Sequence, residues 1–297
     1  MKKSKNLKAL LLTTSTLVTL LSSNVYADAV LTGNRNEVKA SVQGDSSWKD
    51  DKAPVKDNNI IFSKKKQKLE LDKKENYGSL NIYGFGENTL QINENVGLVD
   101  IINSFTTKTV TKEAKKANGN NVLTPGTDGE KAKLSIKIAG NKSLTITGND
   151  ISAVSSIQLD AEKSQIVFNK KGLQVGALIF SPKIDNQEAI GVITVQDNTT
   201  FNNKIGYNSA GDVSTIAMLN IANKKIATLK NDISATEIKL DEKSALIVDP
   251  LNNDVEVNSG ININAIDDKG GMIIEGRENN RVESPFTETP SHTTVQA

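Results

Sequence analysis

Two stretches of this chain are copies of one another. Residues 149–170 read NDISAVSSIQLDAEKSQIVFNK and residues 231–250 read NDISATEIKLDEKSALIVDP, offset by 82 residues from Asn149 to Asn231, with two single-residue gaps. Asn141-Lys142 precedes the first copy, Asn223-Lys224 precedes the second, and Asn88-Thr89-Leu90-Gln91-Ile92 is a shorter echo. Inside the copies apolar and polar residues alternate, as Ile157-Gln158-Leu159 and Ile238-Lys239-Leu240. Alternation with a period of two turns one face to a core and the other to water, which is the strand pattern. The same texture recurs at Leu80-Asn81-Ile82-Tyr83, Leu90-Gln91-Ile92, Leu134–Ile138 and Leu144-Thr145-Ile146. Units of Asn or Glu, any residue, then Ser, Thr or Lys before an apolar run begin at Asn88, Asn141, Glu162, Asn198, Asn223 and Glu242; from Asn141 they are spaced 21, 36, 25 and 19 residues apart. Such spacing matches one coil of a β-solenoid, whereas a βαβ unit takes about 30 residues or more and contains a helix.

The expected fold is therefore all-β, a right-handed parallel β-helix (solenoid), with a β-sandwich as the alternative because it shares strand length and turn chemistry. Leu144, Ile146, Ile157, Leu159, Ile238 and Leu240 are expected to point inward. The 33 asparagines suit the corners, since Asn bonds nearby backbone and tolerates left-handed geometry. Lys108–Gly129 reads as an exposed excursion with turn dipeptides at Asn118-Gly119 and Asp128-Gly129 and a short helix at Thr111–Ala117.

Four segments follow. Residues 1–27 fit a signal peptide: Lys2, Lys3, Lys5 and Lys8 precede an apolar core at Leu10–Leu21, and Val25-Tyr26-Ala27 fits a small-x-small cleavage site. Residues 28–79 read as a polar N-terminal or capping segment, with Ile60-Ile61-Phe62 and Leu69-Glu70-Leu71 as edge strands. Trp48 is a capping contact or an exposed partner site, and the sequence leaves both readings open. Residues 80–276 form the expected solenoid. Residues 277–297 read as a disordered, Pro-bearing tail.

The absence of cysteine removes disulfides, thiol nucleophiles and thiolate metal sites. A single histidine, His292, removes poly-histidine zinc sites and most histidine catalysis. With Lys+Arg 36 against Asp+Glu 35, no basic surplus points to nucleic acid. No apolar stretch after the signal segment reaches membrane-spanning length, and no lipidation cysteine occurs, so no membrane anchor is expected in this chain.

The Tyr-Ala signal ending, the Thr/Asn/Ile/Gly-rich strand pattern and the phrase GENTLQINENVGLVDIIN at Gly86–Asn103 resemble the passenger domains of bacterial autotransporters, of the rickettsial surface cell antigen (outer-membrane protein A and B) type. The likeness covers Leu80–Gly276 in style. It implies a surface-exposed β-helical passenger, a virulence-associated adhesin that contacts a host-cell surface protein or glycan. Members of that family end in a membrane β-barrel. The tail here carries no aromatic-rich alternating strands, so the expectation is a truncated passenger with a separate barrel translocator. The protein is expected to be exported, to the periplasm, the cell surface or the medium.

The enzymatic alternative is an exported carbohydrate-active β-helix enzyme. Asp160-Ala161-Glu162 and Asp241-Glu242 are its candidate carboxylates, but both stand directly before a strand, where acids are common in turns. Asp249-Pro250 and Asp267-Asp268 lack regular calcium-ligand spacing. Phe168, Phe180, Phe201 and Tyr207 are few for a sugar-stacking platform, and some of them fit core stacks. A small outer-membrane barrel is disfavoured by an aromatic content of 4%. No catalytic, cofactor-binding or metal-binding residue is assigned, and no cofactor is expected.

Overall fold

The structure, a computed structural model, describes residues 28–32, 38–42, 47–64, 66–83, 86–103, 132–182, 188–249, 255, 257–263 and 271–274, with the backbone alone at 132, 260–263 and 271–274. The expected signal peptide, the helix at Thr111–Ala117, both turn dipeptides in the excursion, Asp267-Asp268 and the tail lie outside these residues.

The chain winds as a three-sided parallel β-solenoid. Side one opens with β1 (Asp28–Leu31), side two with β2 (Val38–Lys39), and the path then repeats. Side one continues through β3 (Asn59–Phe62), β5 (Leu80–Ile82) and β8 (Ile101–Asn103); side two through β4 (Lys68–Leu71), β6 (Gly86–Ile92) and β9 (Ala132–Ile138). Side three takes β7 (Val96–Leu98) and β10 (Ser143–Ile146). The next coils add β11 (Val154–Leu159) to side two and β12 (Gln165–Phe168) to side three. After that, β13 (Leu173–Val175) restarts the ladder on side one and β14 (Leu178–Phe180) ends the regular one on side two. The last coils alternate sides three and one: β15 (Ile190–Val195), β16 (Thr199–Phe201), β17 (Ile216–Ile221), β18 (Ile226–Leu229), β19 (Ile233–Leu240), β20 (Ala245–Val248), β21 (Val257–Ile263) and β22 (Gly271–Ile274). Bridges from Ile179 to Ile205 and from Ile205 to Ile233 carry side two through these coils.

Every pairing between these strands is parallel. Parallel stacking excludes the sandwich, whose sheets are antiparallel. On side three Leu144 pairs with Ile166, Ile166 with Ile193, Ile193 with Leu219, and Leu219 with Ile238, steps of 22, 27, 26 and 19 residues. Coil length varies because corners absorb insertions, while the inward position keeps its register. A one-residue slip would turn the whole apolar set outward. These five residues are fully buried, and so are the other residues expected to point inward: Ile146, Ile157, Leu159 and Leu240.

The structure corrects three sequence readings. The stack begins at Asp28 and not at Leu80, because β1 to β4 are rungs of the same ladders. Ile60-Ile61-Phe62 and Leu69-Glu70-Leu71 are interior rungs and not edges, since β3 pairs with both β1 and β5, and β4 with both β2 and β6. Asn88 does not open a strand. It is buried inside β6, where its Oδ1 accepts the Gln67 backbone N–H at 3.0 Å.

The units at Asn141, Glu162, Asn223 and Glu242 each sit in one tight corner. The turns Ala139–Lys142, Ala161–Ser164, Ala222–Lys225 and Asp241–Ser244 each close with a backbone N–H to O bond, of 3.2, 3.1, 3.0 and 3.0 Å. The third residue of each has positive φ: Asn141 at 56°, Lys163 at 55°, Lys224 at 61° and Lys243 at 57°. The corners stack in pairs, Asn141 N–H on Glu162 O and Lys224 N–H on Glu242 O, both at 3.0 Å. Ser164 and Ser244 are buried and donate to Ala161 O and Asp241 O, both at 2.7 Å. The two copies of the repeat thus fold alike locally, yet they lie on different sides. β11 and β12 run along sides two and three, while β19 and β20 run along sides three and one.

Trp48 resolves to the capping reading. It is 1% exposed and bridges antiparallel to Leu31, while Thr32 N–H donates to Ser47 O at 2.7 Å. The short 3₁₀ turn Lys49–Asp51 follows. The indole therefore seals the N-terminal end of the core and covers the otherwise open edge of β1. Trp48→Ala is expected to lower unfolding free energy by about 3 kcal/mol, measured by urea titration; a loss below ~1 kcal/mol would show the end is sealed without it.

Candidate functional site

Among the sequence candidates, the carboxylates occupy structural corners. Glu162 and Glu242 lie in the turns that join strands, and their backbone carbonyls accept from the neighbouring corner. The Glu242 carboxyl is held below its usual range by a hydrogen bond and charge from Lys243. Asp241 pairs with Lys239 at 3.2 Å, and Asp249 is ion-paired with Lys230. Phe168 and Phe201 are buried and meet edge to face at 5.7 Å and 73°. Phe180 is half-buried. Tyr207 is 7% exposed, with the Lys204 ammonium 5.0 Å from its ring centre. None of these aromatics forms an open platform. Among the described residues no cluster of three or more His, Asp or Glu could hold a metal ion.

Asp160 differs from its neighbours. Partial burial pushes its carboxyl above the usual range, opposed by the Lys137 charge and a hydrogen bond from Gln158. A carboxyl that binds its proton more tightly when folded weakens the fold at neutral pH, and that penalty vanishes once both states are protonated, below about pH 4. Asp160→Asn keeps the acceptor for Gln158. We expect it to melt about 1–2 °C above the parent at pH 7 and level with it at pH 3. A lower melting point at pH 7 would contradict the assignment.

Opposite charges join successive coils, three times at the corners and once, at Lys39–Glu70, between the rungs β2 and β4. Lys142 pairs with Glu94 at 2.8 Å, Lys204 with Asp232 at 2.6 Å, Lys225 with Asp197 at 3.1 Å and Lys39 with Glu70 at 3.4 Å. The Glu94 carboxyl is lowered chiefly by the hydrogen bond from Lys142. At Asp197 burial acts upward but is outweighed by the Asn198 N–H and Lys225, so the net shift is down. These pairs align neighbouring coils, and their partial exposure keeps each one weak.

Sequence reasoning passed over the outward surface of side three. Its central row runs Gly97, Thr145, Val167, Thr194, Asn220 and Lys239 through successive registers. Gln165 donates to Thr194 Oγ1 at 2.7 Å across rows. Before β7 the same side is built by turns, with Asp57 N–H on Asn76 O at 2.8 Å and Gly97 N–H on Glu75 O at 3.1 Å. At Gly97 the outward place is taken by the neighbouring rung: a Cβ there would lie 2.4 Å from Asn76 Oδ1. A cleft of about 320 Å³ opens beside these turns, between Lys56, Lys74, Glu75, Asn76, Asn95 and Thr145.

No protein-family model, curated protein or solved structure matches this chain.

Proposed function

We propose that this protein is a non-enzymatic exported surface passenger that adheres to host cells through the lateral faces of its solenoid. One observation carries the reading. Parallel stacking puts one outward position on every rung, spaced about 4.8 Å apart; on side three that row is Thr145, Val167, Thr194, Asn220 and Lys239, with Thr145, Asn220 and Lys239 part-exposed and Val167 and Thr194 nearly covered. A row of this kind makes many weak polar contacts along an extended partner, as solenoid proteins do. The resemblance to autotransporter passengers and the signal-like N-terminus support the same reading, with a separate barrel as translocator.

The test is adhesion of the purified chain to cultured host cells, alongside mass spectrometry of the exported form in a bacterial host. We expect saturable cell binding that survives single alanine changes along the row, and a mature chain beginning at Asp28. Absence of cell binding, or hydrolysis of a polysaccharide abolished by removal of one acidic residue, would overturn the adhesin reading. A retained Met1 in the exported fraction would overturn the export signal.

A further inference from the structure

We propose that the cleft at the start of side three binds a carboxylate-bearing sugar residue of an anionic glycan. The choice of a glycan over a free small anion rests on the adhesion reading above.

The cleft is built where four rungs meet. The turn residues 56–57 stack on 74–76, these on β7, and β7 on β10. Lys56, Lys74, Asn95 and Thr145 are far apart in sequence, and the register brings them to one gap. The Asn76 amide packs into the space that a side chain at position 97 would take, and Asn76 itself lines the cleft.

The polar groups around it are mostly donors. Asn95 Oδ1 already accepts the Ser143 N–H at 2.9 Å and the Ser143 hydroxyl at 3.2 Å, which leaves its NH₂ as the outward group. Lys74 has no ion pair within 4.0 Å among the described residues, although its charge acts on the Glu94 carboxylate, and Lys56 has only a 4.0 Å approach to Asp57. The Thr145 hydroxyl makes no side-chain hydrogen bond to a described residue. Two ammonium groups, an amide NH₂ and a hydroxyl call for a ligand rich in acceptors and negatively charged. Glu75 is the opposing acceptor in the lining. A carboxylate opposite a bare phosphate is unfavourable, whereas a sugar hydroxyl can donate to it. The volume of about 320 Å³ lies at the small end for ligand sites, enough for one or two sugar rings. No aromatic ring lines the cleft, so recognition runs through charge and hydrogen bonds without ring stacking.

The test uses the full chain and a hyaluronan tetrasaccharide, which carries carboxylates and no sulfate, in isothermal titration. Controls are the same tetrasaccharide with its carboxyls reduced to alcohols, a heparin tetrasaccharide and a polyglutamate peptide. We expect binding of hyaluronan, at least about tenfold weaker binding of the reduced form, and at least about tenfold loss for Lys56→Gln with Lys74→Gln. Thr145→Val should lose about threefold, and all variants should keep the parental melting temperature. No binding of hyaluronan by the wild type, equal binding of the reduced form, or undiminished binding by the double variant would overturn the proposal. So would tighter binding of heparin or polyglutamate than of hyaluronan. Cell adhesion of the wild-type chain, set beside its hyaluronan binding, separates the two claims. Wild-type adhesion without wild-type hyaluronan binding sinks the cleft and leaves the adhesin reading; wild-type hyaluronan binding, lost in the double variant, without adhesion does the reverse.

Discussion

Leu144→Asp is expected to unfold the coils around β10, with a loss of at least about 5 kcal/mol. Leu144 is fully buried and is flanked in register by Val96 on one side and Ile166 on the other. Its replacement removes a side chain that both neighbours pack against, and places a carboxylate among apolar rows. No cation can reach it there without entering the core, so the group either stays charged and unpaired or takes up a proton at a cost. Because each coil is a template for the next, the damage spreads to β7 and β12 before it is contained. Circular dichroism under urea should show a lost or early transition. Leu144→Met, which conserves volume, should lose less than about 1.5 kcal/mol. An Asp variant that unfolds with the parent would show that this row does not face the core.

The second large effect comes from deleting chain in the wrong length. Ser143 pairs with Gln165, so removal of residues 143–164 joins Lys142 to the register equivalent of the residue it lost, across a 22-residue coil. Val96 then meets Ile166 where it met Leu144, β14 can follow β9, and every apolar row continues. A shorter solenoid should fold, with a cooperative transition and only the loss of one coil's contribution. Deletion from Asn141 to Val167 takes the coil and five residues more, namely half of the Ala139–Lys142 corner and all of the next rung but Phe168. Gly140 would be joined directly to Phe168, with no chain left to cross side three. We expect that variant to lose its cooperative transition and any cell binding with it. If both deletions melt alike, coil register does not govern this fold.

Much of this architecture was legible in the alternation itself. Leu144, Ile146, Ile157, Leu159, Ile238 and Leu240 declare an inward face whatever their neighbours are, because burial in a sheet has a period of two. The serine and lysine corners were legible for a similar reason, since their bonds are local. The start of the solenoid was not. Lysines at 64–66 and 73–74 dominate the composition of residues 28–79, and short rungs such as β2, only two residues long, leave no period to count. The side to which each copy of the repeat belongs was equally hidden, for alternation says inward or outward and never which wall. The cleft was hidden most deeply. Lys74 and Asn95 are one coil apart, Asn95 and Ser143 are separated by a 48-residue step, and only the register across the excursion makes them neighbours.

The displacement of the repeat has a consequence for the surface of the solenoid. The Ala161–Ser164 corner sits on the edge between sides two and three, and its twin Asp241–Ser244 on the edge between sides three and one. Had the duplication spanned whole coils, both would lie on one edge and offer a single strip. Displaced by one wall, the same Glu–Lys knuckle, closed beneath by its buried serine, projects in two compass directions. Each flank of side three therefore carries one copy of the knuckle, and neither flank carries both.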